Sequence, residues 1–302
     1  MIKLLCANFH ATIRSKRFWL GSAMMLATAI YAVIDVNHMK TIADFEGSPE
    51  SAVFQYAILL FLILPALGSL FINTDYYDGT IRNKLTVGRS RATVYMANLI
   101  TVYGVGLFYT LVNLAACLAV GIPLLGSFSQ PQEVVVRLLM LALVFLSLSA
   151  LFTLLATLII NRSVLLICVF MAFGLILGAQ MVNSLLEEPE MIDEYNGVTM
   201  TTTEDGSVKM EYLDKNGNPI DPEDIPRVPN PRHVKEPMRT VLRTVNNIQP
   251  GGQLLEILEG GHPEPDGTVT QTSYGLLALY ALGLSLVSTG IGIALFRKKD
   301  LK

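Results

Sequence analysis

Residues 138–160 read LLMLALVFLSLSALFTLLATLII, 23 positions without Asp, Glu, Lys, Arg or His. A helix of that length covers the roughly 30 Å hydrocarbon core of a bilayer. Lipid offers no hydrogen bonds to an exposed backbone, so a run this apolar is expected to be helical. Five further runs share its character: residues 18–34, 52–72, 94–120, 163–186 and 274–296. The first, at 17 residues, is near the lower limit for a span. The expected fold class is an all-α polytopic membrane protein with six transmembrane helices.

Composition agrees, with a mean hydropathy of +0.48 and only 16% charged residues, against roughly 25% in soluble domains. Proton and ion relays need ionisable groups at membrane depth, and these runs hold none. Energy for moving a substrate against a gradient is therefore expected to enter from outside the membrane. The net charge of −3 hides a partition. Residues 187–272 carry 17 acidic and 7 basic side chains, and the remainder 15 basic and 8 acidic.

Lys and Arg are enriched in cytoplasmic loops beside spans. Here Lys3, Arg14, Lys16 and Arg17 precede the first run, and Arg82, Lys84, Arg89 and Arg91 separate the second and third. Arg162 lies between the fourth and fifth, and Arg297, Lys298, Lys299 and Lys302 follow the sixth. Six spans place all four clusters on one side. Both termini are expected in the cytoplasm and 187–272 outside. Ala27-Thr28-Ala29 imitates a signal-peptide cleavage site, but it lies within the apolar run and behind an unusually long basic region, so a retained span is expected.

Ile2, Leu5, Phe9 and Ile13 recur at three- and four-residue spacing, with Lys3, His10, Arg14 and Arg17 on another face. Residues 1–17 therefore read as an amphipathic helix lying in the cytoplasmic interface, with Trp19 at headgroup level.

The most informative polar stretch is residues 73–93, which contains Asp75-Tyr76-Tyr77-Asp78-Gly79-Thr80-Ile81-Arg82-Asn83-Lys84-Leu85 and then Gly88, Arg89, Ser90 and Arg91. A short helix around 81–85 is predicted to end at Gly88, which tolerates the left-handed conformation of a helix C-terminus. Ser90 suits the cap of the next helix. Four cations and two carboxylates on such a loop favour a docking element over a simple positive anchor.

In this order, acidic–x–x–acidic–Gly-Thr-Ile-Arg-Asn-Lys-Leu–x–x–Gly–x–Ser-Arg–x–x–x–Tyr, the loop resembles the permease subunits of ABC-2-type ATP-binding cassette transporters. The ending Phe296-Arg297-Lys298-Lys299-Asp300-Leu301-Lys302 is also similar, as is the layout of interfacial helix, six spans and an enlarged exterior segment between spans five and six. Asp stands at 75 and 78 where many relatives carry Glu. The resemblance implies a permease dimer, of the same or a related chain, in a prokaryotic cell membrane. Each permease would rest on a cytoplasmic ATP-binding subunit, with Asp75, Tyr76, Tyr77, Asp78, Gly79, Thr80, Arg82, Lys84, Arg89 and Arg91 in the coupling element. It also implies an exporter. This chain has no G-x-x-x-x-G-K-[ST] loop, so ATP and Mg are expected on the partner, with no cofactor and no enzymatic site here. Lipids are expected neighbours and nucleic acid is not.

The expected organisation is thus 1–17 interfacial helix, 18–186 spans one to five with the coupling loop at 73–93, 187–272 exterior α+β segment, 273–296 span six and 297–302 cytoplasmic tail. Within the exterior segment, 198–203 and 208–213 read as a hairpin turned through Glu204-Asp205-Gly206. Val198, Met200 and Thr202 share one face, as do Val208, Met210 and Tyr212. Residues 219–231 read as an extended proline-rich linker, and 237–246 and 253–258 as short helices. Asp214-Lys215-Asn216-Gly217-Asn218 is a turn rather than a calcium loop, whose sixth and twelfth positions would here be Pro219 and Ile225.

Gln55, Asn98, Asn113, Gln180 and Asn183 are the largest polar side chains in the apolar runs. They are candidates for a transport pathway, with interhelical hydrogen bonding as the simpler role. Cys6, Cys117 and Cys168 lack metal-ligand spacing, and His10, His38, His233 and His262 fall on two sides of the membrane, so no metal or catalytic site is expected. A membrane receptor or immunity protein that senses an exterior ligand through 187–272 is the alternative of a different class.

Overall fold

The computed structural model describes residues 1–42, 49–159, 161, 163–202, 208–264 and 268–299. Arg162, the expected turn residues Glu204, Asp205 and Gly206, and Asp300, Leu301 and Lys302 lie outside them. The described chain is mostly helical, and each apolar run is helical over nearly all of its described residues, 52–72 as two consecutive helices. In order these are α1 (Ile2–Ile13), α2 (Lys16–Ile42), α3 (Pro49–Val53), α4 (Tyr56–Tyr77), α5 (Thr80–Thr86), α6 (Arg91–Leu125), α7 (Pro131–Leu158) and α8 (Val164–Glu187). Then come α9 (Met238–Ile248), α10 (Pro250–Glu259) and α11 (Tyr274–Lys298). Six helices are long and apolar enough to cross a membrane: α2, α3 continued by α4, α6, α7, α8 and α11. This is a multi-pass membrane protein.

The helices outlast the charge-free runs. α2 continues through Asp35, His38 and Lys40, and α6 reaches 35 residues. At 1.5 Å per residue α6 is about 50 Å long, well beyond a hydrocarbon core. A charged side chain ends what lipid tolerates; it does not end a helix.

The chain divides into two units. The larger comprises Met1–Gln180, Thr244–Gly261 and Gln271–Lys302. Its centre is α7, packed against α4, α6, α10 and α11. Leu141, Val144, Phe145, Leu148, Phe152 and Ala156 of α7 are all 2% exposed or less. In lipid, helix association rests on such close packing rather than on a hydrophobic drive. Gly292 gives an example: a Cβ there would lie 2.1 Å from the Tyr95 hydroxyl, so α11 meets α6 only because this position has no side chain. Residues 244–261, grouped by sequence with the exterior segment, belong to this unit. α10 is buried from Pro250 to Ile257, with Gln253 Nε2 donating to the carbonyls of Asn247 (2.8 Å) and Ile248 (3.2 Å).

The smaller unit comprises Met181–Arg243 and His262–Thr270. It holds strands β1 (Met191–Asp193), β2 (Gly197–Thr202), β3 (Val208–Leu213), β4 (Pro219–Ile220), β5 (Arg227–Pro229), β6 (His262–Pro263) and β7 (Val269–Thr270). β2 and β3 pair antiparallel with Val198 opposite Tyr212, Met200 opposite Met210 and, in register, Thr202 opposite Val208, so Val198 and Met200 of one expected face meet Tyr212 and Met210 of the other as cross-strand pairs. β4 extends this sheet on β3. The Asp214 carboxylate accepts from the Asn216 and Asn218 amides at 2.8 Å each, which closes the expected turn. The proline-rich stretch is not simply a linker. Its Arg227–Pro229 pairs antiparallel with Met191–Asp193, and Arg227 bonds Asp193 at 3.1 Å. A short edge strand tolerates prolines at its ends, where no ladder donor is needed.

Candidate functional site

The expected docking loop lies within the larger unit, at the end where α4 and α11 finish and α6 starts. α4 runs without a break through Asp75, Tyr76 and Tyr77. Gly79 then takes φ +66°, a left-handed conformation that side-chain-bearing residues resist, and this turns the chain into α5. Gly88 (φ +83°) follows α5, and the Ser90 Oγ accepts the Thr93 amide at 3.2 Å to cap α6. The predicted short helix, its glycine stop and its serine cap are all present.

An apolar contact seats α5. Ile81 is 2% exposed and clusters with Leu4 of α1, Val94 and Tyr95 of α6 and Phe296 of α11. Beside it runs a chain of polar contacts. Thr80 Oγ1 donates to Asp75 Oδ1 (2.7 Å), and Lys84 Nζ forms an ion pair with Asp75 Oδ2. Lys84 Nζ also donates to Asn8 Oδ1 (3.1 Å), while Asn8 Nδ2 donates to Asn98 Oδ1 (3.1 Å). Asn8 and Asn98 are each 3% exposed. Four helices, α4, α5, α1 and α6, are thereby joined by one polar network. Buried polar groups need such partners, since leaving one unpaired costs about 1–3 kcal/mol.

Two cations close neighbouring helix ends. Arg91 Nη1 donates to the carbonyls of Phe296 (3.1 Å) and Arg297 (3.0 Å) and to that of Lys299, at the C-terminus of α11. Lys299 Nζ donates to the carbonyls of Thr157 (2.5 Å) and Leu158 (2.9 Å), at the C-terminus of α7, and lies 5.5 Å from the Tyr76 ring. Positive charge is favoured at such carbonyl-rich ends.

The expected coupling residues thus fall into two sets. Asp75, Tyr76, Thr80, Lys84 and Arg91 hold the loop in place. Tyr77 (52% exposed), Asp78 and Arg82 face outward, joined by Val87 at 77% exposure. Arg89 is half-buried at the α5–α6 turn and Gly79 forms the bend.

The five pathway candidates are dispersed. Asn98 belongs to the network above, and Asn113 donates to the Met25 carbonyl of α2 at 3.4 Å; both contacts are interhelical. Gln55 and Gln180 are exposed, and Asn183, in the smaller unit, is buried. Sequence reasoning missed Asn8. The face that α1 buries in the protein carries Leu4 and Asn8, whereas Ile2 and Ile13 of the expected apolar stripe are 78% and 47% exposed. The available signal was an amide one helical turn from a leucine, on neither of the faces that periodicity picked out.

A family model described as ABC-2 family transporter protein matches residues 9–184, from α1 through most of α8. A comparison with curated proteins finds no match. The family match takes in more than half of the chain, including the loop at 73–93 but not Asn8 of its supporting network, and the chain belongs to the ABC-2 transporter family as a membrane-spanning permease component of an ABC transporter.

Proposed function

We propose that this permease is one half of an ATP-driven exporter, in which two permease chains each rest on an ATP-binding cassette subunit. The orientation that goes with this reading has both termini in the cytoplasm of a cell membrane, with the smaller unit outside. The observation that supports it best is the two-sided loop at α5. One side is fixed by Ile81 and the Asp75–Lys84 ion pair. The other presents Tyr77, Asp78, Arg82 and Val87 to solvent. An aromatic, an aliphatic and two opposite charges on and around a firmly seated short helix make a specific contact surface.

On this reading, ATP-driven closure of the two subunits pushes on α5, and the polar network passes the displacement to α1 and α6. Small shifts spread through such packed elements because they have few alternative arrangements. ATP and Mg belong to the partner.

A cross-link tests the placement. A photoreactive residue at Val87 should capture an ATP-binding subunit from intact membranes, while the same probe at Met200 of the smaller unit should not. Capture of that subunit from Met200 alone, or of a non-ATPase signalling protein from Val87, would overturn the assignment and favour a receptor or immunity role.

A further inference from the structure

A cleft of about 280 Å³ opens in the larger unit between the α1–α2 elbow, α4 and α6. Its floor is apolar and buried, with Leu64, Val102 and Val105 between 1% and 7% exposed. Its exposed rim carries Arg17, Thr74 and Asp78, with Thr12 and Ser15 half-buried beside them. Among the described residues, neither the Arg17 guanidinium nor the Asp78 carboxylate has an ion-pair partner. The rim therefore pairs one open cation with one open anion above an apolar slot, beside the bend from which a membrane-spanning helix departs.

That charge pattern complements a zwitterion. We propose that the cleft holds an ethanolamine phospholipid, with its phosphate at Arg17, its ammonium at Asp78 and part of one acyl chain along the floor. Arginine suits phosphate, and a primary ammonium has three N–H donors to share between a carboxylate and neighbouring hydroxyls. A choline headgroup has none to give, and a glycerol headgroup carries no positive charge for Asp78. Pockets for drug-sized ligands run from about 300 to 1,000 Å³, so this slot suits a stretch of one chain, not a whole amphiphile. The inference rests on α2, α4 and α6 lying in a membrane, and not on the ATPase partner.

Lipid retention tests it. The full chain would be equilibrated in nanodiscs of equal parts ethanolamine, choline and glycerol phospholipid, re-extracted in mild detergent without ATP, and its bound lipid counted by mass spectrometry. The expected result is about tenfold retention of the ethanolamine lipid over the choline lipid. Arg17→Gln and Asp78→Asn should each erase that preference. Arg14→Gln, the same charge loss at the same end but outside the cleft, should keep it. Leu67→Trp, which fills the slot without touching either charge, should also lower retention, so the proposal remains testable if a charge variant fails to insert. Glycerophosphoethanolamine, which lacks acyl chains, should not displace the lipid. Equal retention of the two lipids, a preference that survives both charge variants, or the same loss in Arg14→Gln would overturn the proposal. Asp78 also belongs to the face proposed to meet the ATPase, so the Arg17→Gln and Leu67→Trp arms, which lie off that face, keep the two readings distinguishable.

Discussion

Lys84 on α5 forms an ion pair with Asp75, nine residues earlier on α4, and the two side chains are only 16% and 15% exposed. The same ammonium donates to Asn8 of α1. A loop expected to present its cations to a partner therefore turns Lys84 inward, as it does Arg91, and this separates the residues that seat the loop from those that face solvent.

Removing one member of a buried ion pair leaves the other uncompensated, at a cost of about 3–5 kcal/mol when burial is complete. Partial exposure here should reduce that to about 2 kcal/mol. Asp75→Asn and Lys84→Met should each lower the thermal midpoint of the purified permease, and the double variant should lose less than the sum. Strict additivity would mean that the pair does not couple.

Gly292 and Gly290 are two residues apart on α11, yet only Gly292 faces Tyr95. Gly292→Leu should destabilise the permease by about 1–3 kcal/mol, as expected for overpacking. Gly290→Leu, with nothing within 4 Å of its Cβ, should stay near wild type. Comparable losses in thermal stability would show that the α6–α11 approach is not as close as described.

In the smaller unit, Glu264 is bonded by Arg239 at 2.6 Å and paired with Arg243. Burial alone would raise its carboxyl, but the hydrogen bond from Arg239 and the charge of Arg243 outweigh this and hold it below its usual value of 4.5. A carboxylate depressed by folding contributes stability above its unfolded pKa and loses it as pH falls through the folded one. Proteolytic resistance of the smaller unit should thus be flat from neutrality down to about pH 5 and fall below about pH 4.5. In Glu264→Gln the decline should be shallower. An identical acid profile in that variant would remove Glu264 from the account.

The spans were legible because lipid imposes one requirement on every residue within them, and absence of charge is easily read. The turn, short helix and cap at 73–93 were legible for local reasons: Gly88 and Ser90 act on their own neighbours. Asn8 was not, because its value lies in Asn98 and Lys84, 90 and 76 positions away in sequence. The packing of α10 into the larger unit was not legible for a related reason. The helix was expected only from Gln253, but it starts at Pro250, and a Cβ on Gly251 would lie 2.4 Å from the Leu175 carbonyl, so the two glycines serve close packing. The proline-rich stretch hid β5 because strand pairing depends on a partner, Met191–Asp193, that lies far back along the chain.

The central claim is that the outward face of α5 couples this permease to an ATPase, and Arg82 is the residue to change. Being exposed, it should tolerate Arg82→Glu with stability within about 0.5 kcal/mol of wild type. The most direct measurement is affinity purification of the wild-type and Arg82→Glu chains from native membranes, with the bound ATP-binding subunit and its ATP hydrolysis quantified. The account predicts a stoichiometric, active subunit on the wild type and, on a normally folded Arg82→Glu chain, at least a tenfold loss of bound subunit or of permease-dependent hydrolysis. A wild-type chain that comes out without an ATPase while complexes remain intact, or an Arg82→Glu chain with unchanged subunit and activity, would contradict it.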